Sequence, residues 1–421
     1  MPNRVYKMRE LCEITSSKRI YAADYKPEGV PFYRGKEISE KFKGNLDVST
    51  ELFIDRDKFE QIRHRFGAPV GGDLLLTSVG TLGSPYVVNN GEEFSFKDGN
   101  LTWFRKFNHL ESRFLYYWLQ SSQGKAELKK CTIGSSQSAY TIVLLKEMEI
   151  TLPPLPIQQK IAAILSAYDE LIENNLRRIK ILEEMAQNLY REWFVKFRFP
   201  GHEQARFVDS PLGRIPAGWE VVAFTDIADV LSGGTPSTTV EEYWSGSIPF
   251  FAPKDAPESF YVTNTEKSIT ALGLKKCNSK LYQKDTVFIT ARGTVGKVVM
   301  PSIDMAMNQS CYALRGKEGI SQLYLFLATK DKVEYLKKNT GGATFDTIVV
   351  DTFKRMLVAK PCREVIDQFS CLSQAVIEMI LNVLKKNTTL RRTRDMLLPR
   401  LISGEVDVSE LDITIPEEAV A

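Results

Sequence analysis

Residues 156–197 read PIQQKIAAILSAYDELIENNLRRIKILEEMAQNLYREWFVKF. Beyond Pro156 neither Gly nor Pro interrupts the run. Leu165, Tyr168, Ile172, Asn175, Ile179, Leu182, Ala186, Leu189 and Trp193 follow one another in alternating steps of three and four. That period keeps one stripe of side chains on one side of a helix, the pattern of a coiled-coil seam, with Asn175 as its polar register residue. Upstream, Pro153-Pro154-Leu155-Pro156 fixes an extended entry, and Pro156 suits a first helical turn, where its missing N–H costs nothing.

A helix with one apolar stripe needs a partner, and the chain supplies one because it is written twice. From Asn100 the sequence matches itself at an offset of 208 for about 100 residues. Asn100 answers Asn308, Leu115-Tyr116 answers Leu323-Tyr324, and Lys146, Met148 and Pro153 answer Lys354, Met356 and Pro361. The second helix then carries Val376, Ile380, Val383, Asn387, Leu390, Leu397 and Leu401 on its seam, with Ser373 and Arg394 as weaker members. Upstream of Asn100 the offset drifts: Val30-Pro31-Phe32 answers Ile248-Pro249-Phe250, and Gly80-Thr81-Leu82-Gly83 answers Gly293-Thr294-Val295-Gly296. Drifting offsets mark loop insertions.

Ahead of each helix lie about 150 residues of short β-rich runs, such as Asp73 to Thr77 and Asp285 to Ile289, alternating with helical patches at Ser112–Leu119 and Gln322–Leu327. That composition predicts a mixed α/β (α+β) globule. The expected architecture is two homologous globules joined by two long antiparallel coiled-coil helices, a dumbbell with pseudo-twofold symmetry. About 40 residues at ~1.5 Å each make a rod of roughly 60 Å. The expected boundaries are a first globule at 1–154, a first helix at 155–199, a linker and second globule at 200–362, a second helix at 363–406 and a tail at 407–421.

Composition narrows the function. Apolar residues are 43% and charged residues 25%, as in ordinary globular proteins, and the formal charge of +3 excludes a polycation while leaving room for local basic faces. No apolar run is long enough to span a bilayer and the N-terminus has no secretion signal, so a cytoplasmic location is expected. Six scattered cysteines and three histidines (His64, His109, His202) offer no metal-ligand spacing. Gly293-Thr294-Val295-Gly296-Lys297 lacks the spacing and hydroxyl of a phosphate-cradling loop, and no dinucleotide fingerprint, methyltransferase motif or nuclease motif is present. The chain is therefore expected to hold no metal, no cofactor and no catalytic residue of its own.

What remains is recognition. Two related globules held at a fixed distance suit a ligand that repeats at a fixed distance, and double-stranded DNA is the commonest. The first copy offers Arg34, Lys36, Arg63, Arg65, Thr81 and the run Ser135-Ser136-Gln137-Ser138. The second offers Lys254, Lys275-Lys276, Arg292, Thr294, Lys297, Asn308-Gln309 and Thr344. Arg and Lys reach phosphates or guanine edges, and Asn and Gln read adenine. Each residue alone reads equally well as a solvated surface group; recurrence in both copies singles them out.

Leu152-Pro153-Pro154-Leu155-Pro156-Ile157-Gln158-Gln159-Lys160-Ile161, followed by Tyr168-Asp169-Glu170-Leu171-Ile172-Glu173-Asn174-Asn175, closely resembles the central region of type I restriction-modification specificity subunits. Leu189 to Gly201, Ile215-Pro216 with Gly218-Trp219, and Leu397 to Glu405 extend that resemblance over essentially the whole chain. It departs at Cys362-Arg363-Glu364, where the first helix has Pro154-Leu155-Pro156. The resemblance implies a non-catalytic subunit with two target-recognition domains, each reading one half of an asymmetric bipartite DNA site. It further implies that the helices dock two methylation (M) subunits and that restriction (R) subunits join them. S-adenosylmethionine, ATP and Mg2+ would then sit on those partners. A freestanding DNA-binding protein of the repressor kind is the alternative, and an enzyme with an unrecognised site the third reading.

Overall fold

The computed structural model describes residues 4–45, 48–134, 138–317, 319–339 and 347–415. In the first half, the strands that position the loops are β1 (Arg4–Lys7), β2 (Glu13–Thr15), β3 (Val30–Tyr33), β4 (Leu74–Thr77), β5 (Pro85–Val87), β6 (Ser95–Phe96), β7 (Leu101–Arg105) and β8 (Glu149–Leu152). Their counterparts are β9 (Glu220–Ala223), β10 (Ala228–Ser232), β11 (Trp244–Phe251), β12 (Val287–Thr290), β13 (Val298–Pro301), β14 (Ala306–Met307), β15 (Cys311–Gly316) and β16 (Leu357–Lys360).

The pairing is the same in both halves. β1 runs antiparallel to β8, and β9 to β16. A sheet ordered β2-β7-β4-β5 has its counterpart in β10-β15-β12-β13, which Tyr261–Val262 extends by a parallel strand. β3 pairs parallel with β6, and β11 with β14. β4 (LLLT) and β12 (VFIT) are buried throughout, as expected of strands covered on both faces. Phe104, Phe114 and Leu115 pack with β4 in one core, and Val287, Ile289 and Phe326 form part of the other.

Strand register corrects the internal alignment. Thr77 pairs with Leu101 and Thr290 with Cys311, which makes Leu101 the counterpart of Cys311, an offset of 210 rather than 208. The next helix keeps that offset: Leu115 N donates to Glu111 O at 3.0 Å, and Leu325 N to Ser321 O at 3.0 Å. The offset returns to 208 by the short helices Ile142–Glu147 and Val350–Arg355. The two residues are absorbed where the copies differ. In the first, Ser121 ends the helix Ser112–Gln120 and caps Ser122–Lys130 by accepting from Gly124 N at 3.1 Å. In the second, one helix runs from Gln322 to Asn339 without a break, well past Leu327.

The long helices span Leu155–Tyr190, continued by a π-turn over Arg191–Val195, and Arg363–Ile402. Gly404, at φ 77°, takes the left-handed position beyond the second helix, where L side chains are strained. Compact units divide within both helices: residues 1–174 with 387–421, and residues 175–386. Each unit contains its own antiparallel helix contact.

In the first unit, Leu165 and Leu401 share a core with Ile161 and Ala162. Asp169 pairs with Arg394, Asn387 Nδ2 donates to Ile172 O at 3.4 Å, and Lys160 Nζ donates to Ser409 O at 2.6 Å. One helix number rises along this series as the other falls. In the second unit, Ile179, Leu182, Ala186, Tyr190 and Trp193 pack with Ile366, Phe369, Ile377 and Ile380. Phe369 meets Trp193 at 6.0 Å and Phe194 at 5.0 Å between ring centroids. Tyr168, Asn175, Leu189, Val376, Val383, Leu390 and Leu397 are half-buried, whereas Asn387 and Ser373 are fully buried. Ser373 satisfies its hydroxyl on Phe369 O at 2.6 Å.

Candidate nucleic-acid interface

Four segments converge at one end of each half, tied by the same hydrogen bonds. The residue after β6, Lys97, donates its N–H to Tyr33 O at 2.9 Å; Asn308, after β14, donates to Phe251 O at 2.9 Å. Ser78 N donates to Asn100 O and Ala291 N to Ser310 O, both at 2.8 Å. Tyr140 N donates to Ser78 O and Ile348 N to Ala291 O, both at 3.0 Å.

The Gly-Thr-x-Gly turns are the same hairpin in both copies. Gly80 and Gly83, like Gly293 and Gly296, hold φ between 76° and 82°, where an L side chain is strained. Gly83 N donates to Thr77 O at 2.9 Å and Gly296 N to Thr290 O at 2.8 Å. The threonine hydroxyls then accept from Ser84 N at 2.8 Å and Lys297 N at 2.9 Å. The turn is thus a rigid tip rather than a loose loop, and its exposed side chains are Thr81 in one copy and Arg292 and Thr294 in the other.

The other candidates divide into committed and available groups. Arg34 donates through Nη2 to Glu37 Oε1 at 2.8 Å, and its backbone N–H reaches Oε2 at 2.8 Å. Burial would push the Glu37 carboxyl up, but these bonds hold it below the usual carboxylate range, so Arg34 serves a buried charge. Lys254 is paired with Glu266. Lys297 Nζ lies 2.6 Å from Glu258 Oε1, in a groove of about 290 Å³ that Arg191, Lys330 and Lys337 also line. Lys36 and Gln309 are exposed. Lys275 ends a short helix, Ala271–Lys275, and Lys276 follows it. Arg63 and Arg65 belong to the helix Arg56–Phe66; Arg63 lies 3.4 Å from Glu60, and the helix's last ring, Phe66, carries Lys18 Nζ 5.3 Å from its centre. Ser135, Ser136, Gln137 and Thr344 lie outside the described residues.

The loops after β2 and β10 were not singled out from sequence. Ser16 Oγ donates to Leu101 O at 3.1 Å and accepts from Gly99 N at 3.2 Å, which brings Ser16–Arg19 to the loop end. In the second half Gly234 N donates to Met307 O at 3.0 Å, and a Cβ on Gly233 would stand 2.0 Å from Asn308 O. These contacts place Thr235 beside Gln309. The available signal was Glu13-Ile14 with Ser16 against Asp229-Val230 with Ser232, a short match at an offset of 216.

Among the described residues no cluster of three or more His, Cys, Asp or Glu is placed to hold a metal ion, and no helix is long and apolar enough to cross a membrane.

The model of the type I restriction modification DNA specificity domain matches residues 2–184 and again 216–396. The chain is 28% identical over 351 residues to the type I restriction enzyme MjaIX specificity subunit of Methanocaldococcus jannaschii, covering 81% of this chain and 79% of that one. It is 24% identical over 356 residues to the HindI specificity subunit of Haemophilus influenzae, covering 70% and 77%. The fold is similar to that of the S subunit of a type I restriction-modification system from M. genitalium, with a TM-score of 0.56 at 17% identity, covering 95% of this chain and 96% of that one. Two matched segments covering most of the sequence, each containing one recurring loop end and most of one long helix, place this chain in the family of type I restriction modification DNA specificity proteins.

Proposed function

We propose that this chain is the DNA specificity subunit of a type I restriction-modification system and that each half reads one part of an asymmetric bipartite DNA sequence. The observation that carries the reading is the loop end itself. An identical hydrogen-bonded frame recurs in both halves, while the side chains it displays differ between them, Thr81 against Arg292 and Thr294 for instance. A repeated scaffold with varied displayed residues suits two half-sites of unlike sequence.

The exposed faces of the two long helices are the proposed docking surfaces for two methylation subunits, with restriction subunits joining that core. S-adenosylmethionine chemistry on adenine, and the ATP and Mg2+ needed for cleavage, would reside on those partners, in the cytoplasm. This chain's part is to hold both reading surfaces on one duplex. The test is co-purification with a larger methyltransferase subunit together with methylome sequencing of the host with and without the gene. A bipartite modified motif that disappears with the gene is expected. An unchanged methylome and a chain that purifies alone yet binds a specific operator would instead establish a freestanding DNA-binding protein.

A further inference from the structure

Two residues from neighbouring loops meet at the same place in both halves, with different chemistry. Counted on from the register that aligns Thr15 with Leu231, Arg19 corresponds to Thr235 in the loop that follows. Asp98 corresponds to Gln309, counted on from the parallel pairing of Phe96 and Met307, the first copy holding one more residue before Asn100 than the second before Ser310. Arg19 Nε donates to Asp98 Oδ2 at 3.1 Å, and the Thr235 hydroxyl donates to Gln309 Oε1.

Neither contact is needed by the fold. The Arg19 side chain is 66% exposed, and an ion pair so open to water contributes little stability. Gln309 is also exposed. The backbone beneath them, however, is tied down: beside the first pair Gly99 N donates to Ser16 Oγ at 3.2 Å. Ser310 N is held by Asn308 Oδ1 at 3.0 Å, and a Cβ on Gly234 would lie 2.6 Å from Asn278 N, so the second pair stands on closely packed main chain. Side chains oriented outward by a neighbour on a closely packed base have less conformational freedom left to lose on binding.

The groups left over define what each could bind. With Nε engaged, Arg19 keeps Nη1 and Nη2 without a partner among the described residues, two parallel donors that match O6 and N7 of guanine. With one lone pair of Oε1 engaged, Gln309 keeps a second lone pair and its Nε2 donors, the complement of N6 and N7 of adenine.

We propose that these two pairs are one duplicated reading position: Arg19, buttressed by Asp98, reads a guanine in the first half-site, and Gln309, oriented by Thr235, reads an adenine in the second. Asp98 and Thr235 are positioning residues. The inference rests on the proposed DNA-specificity function.

The experiment assembles the full chain with its methylation subunits and reads methylation of a randomised duplex library by sequencing. Arg19→Ala is expected to cost about tenfold in discrimination at one G·C pair of the first half-site and to leave the second intact. Gln309→Ala should do the same at one A·T pair of the second half-site only. Arg19→Lys, which keeps the charge but not the planar fork, should not rescue. Thr235→Val should weaken the same A·T position, Thr235→Ser should restore it, and Thr235→Val should add nothing to Gln309→Ala.

Unchanged preferences in Arg19→Ala and Gln309→Ala, beside a sequence-specific wild type, would overturn the inference. So would a uniform loss of affinity across all sequences, which marks a phosphate contact, or relaxation at a pair of the other kind. A wild type with no sequence preference would instead bring down the proposed function.

Discussion

Glu183 stands on the first long helix between two seam residues, yet only 8% of it is exposed. Its carboxylate accepts from Phe260 N at 2.7 Å and from Ser259 Oγ at 2.5 Å, and Lys330 supplies the compensating charge. Lys330 packs its ammonium 4.9 Å from the centre of the Phe260 ring. Removing the carboxylate in Glu183→Ala leaves a buried N–H without an acceptor, at about 1–3 kcal/mol, and strips Lys330 of its counter-charge. A total of about 3 kcal/mol is expected, and for a unit of this size it corresponds to a drop of roughly 6–12 °C in Tm. Glu183→Gln keeps the acceptor and should lose about half as much.

The two variants also differ with pH. Burial raises the Glu183 carboxyl pKa, so the folded protein takes up that proton more readily than the unfolded chain. The carboxyl's stabilising contribution is therefore complete below its unfolded pKa and declines as pH rises through the raised folded value. Glutamine does not titrate, so the gap between wild type and Glu183→Gln should narrow between pH 4 and pH 8. Differential scanning calorimetry of the full chain measures both effects. A Glu183→Ala protein melting within 1 °C of wild type would refute the buried-acceptor argument.

Leu182→Asp places an unpaired charge where Leu182 is 8% exposed among Ile377 and Ile380, and is expected to cost ~3–5 kcal/mol in urea unfolding; a loss under 1 kcal/mol would mean that site opens to water. Gly233→Ala drives a Cβ to 2.0 Å from the Asn308 carbonyl oxygen, main chain that cannot rotate aside, so discrimination in the second half-site should fall while the first is unaffected. Equal loss in both halves would contradict a local effect. Glu13, hydrogen-bonded to Arg105 and Lys106, has its pKa drawn down to about 2. A lowered carboxylate pKa adds stability that is present above the unfolded value and lost as pH falls towards 2. A carbon-13 titration of the Glu13 carboxyl should show that low midpoint, and a midpoint at 4 or above would exclude the pairing.

The duplication and both long helices were legible because they are written in local pattern: a three-four repeat, free of Gly and Pro beyond Pro156 in the first helix, and a second copy of it 208 residues on that carries one proline, Pro399, near its end. The hairpin turns were legible for the same reason, since paired glycines at fixed spacing mark backbone that an L side chain would strain. Other features were not. Two residues absorbed between the helix at Ser112 and the strand at Glu149 put sequence identities such as Leu115 with Leu323 out of structural register, and strand pairing with the helix start makes Leu325 the counterpart of Leu115. Glu183 reads as a solvated charge because Phe260 and Lys330 are far away in sequence. Arg34 and Lys297 read as available cations because Glu37 and Glu258, which occupy them, carry no signal of their own. Arg19 and Thr235 carry no local signal because their partners are 79 and 74 residues distant.

The central claim is that each half reads its own half-site on a frame the two halves share. Replacing residues 1–150 with the corresponding half of another family member, and sequencing the methylome of a host carrying the chimera, tests it most directly. The account predicts a modified motif in which one half-site has changed and the other is identical to the parent's. A motif changed in both halves, or in neither, would contradict it.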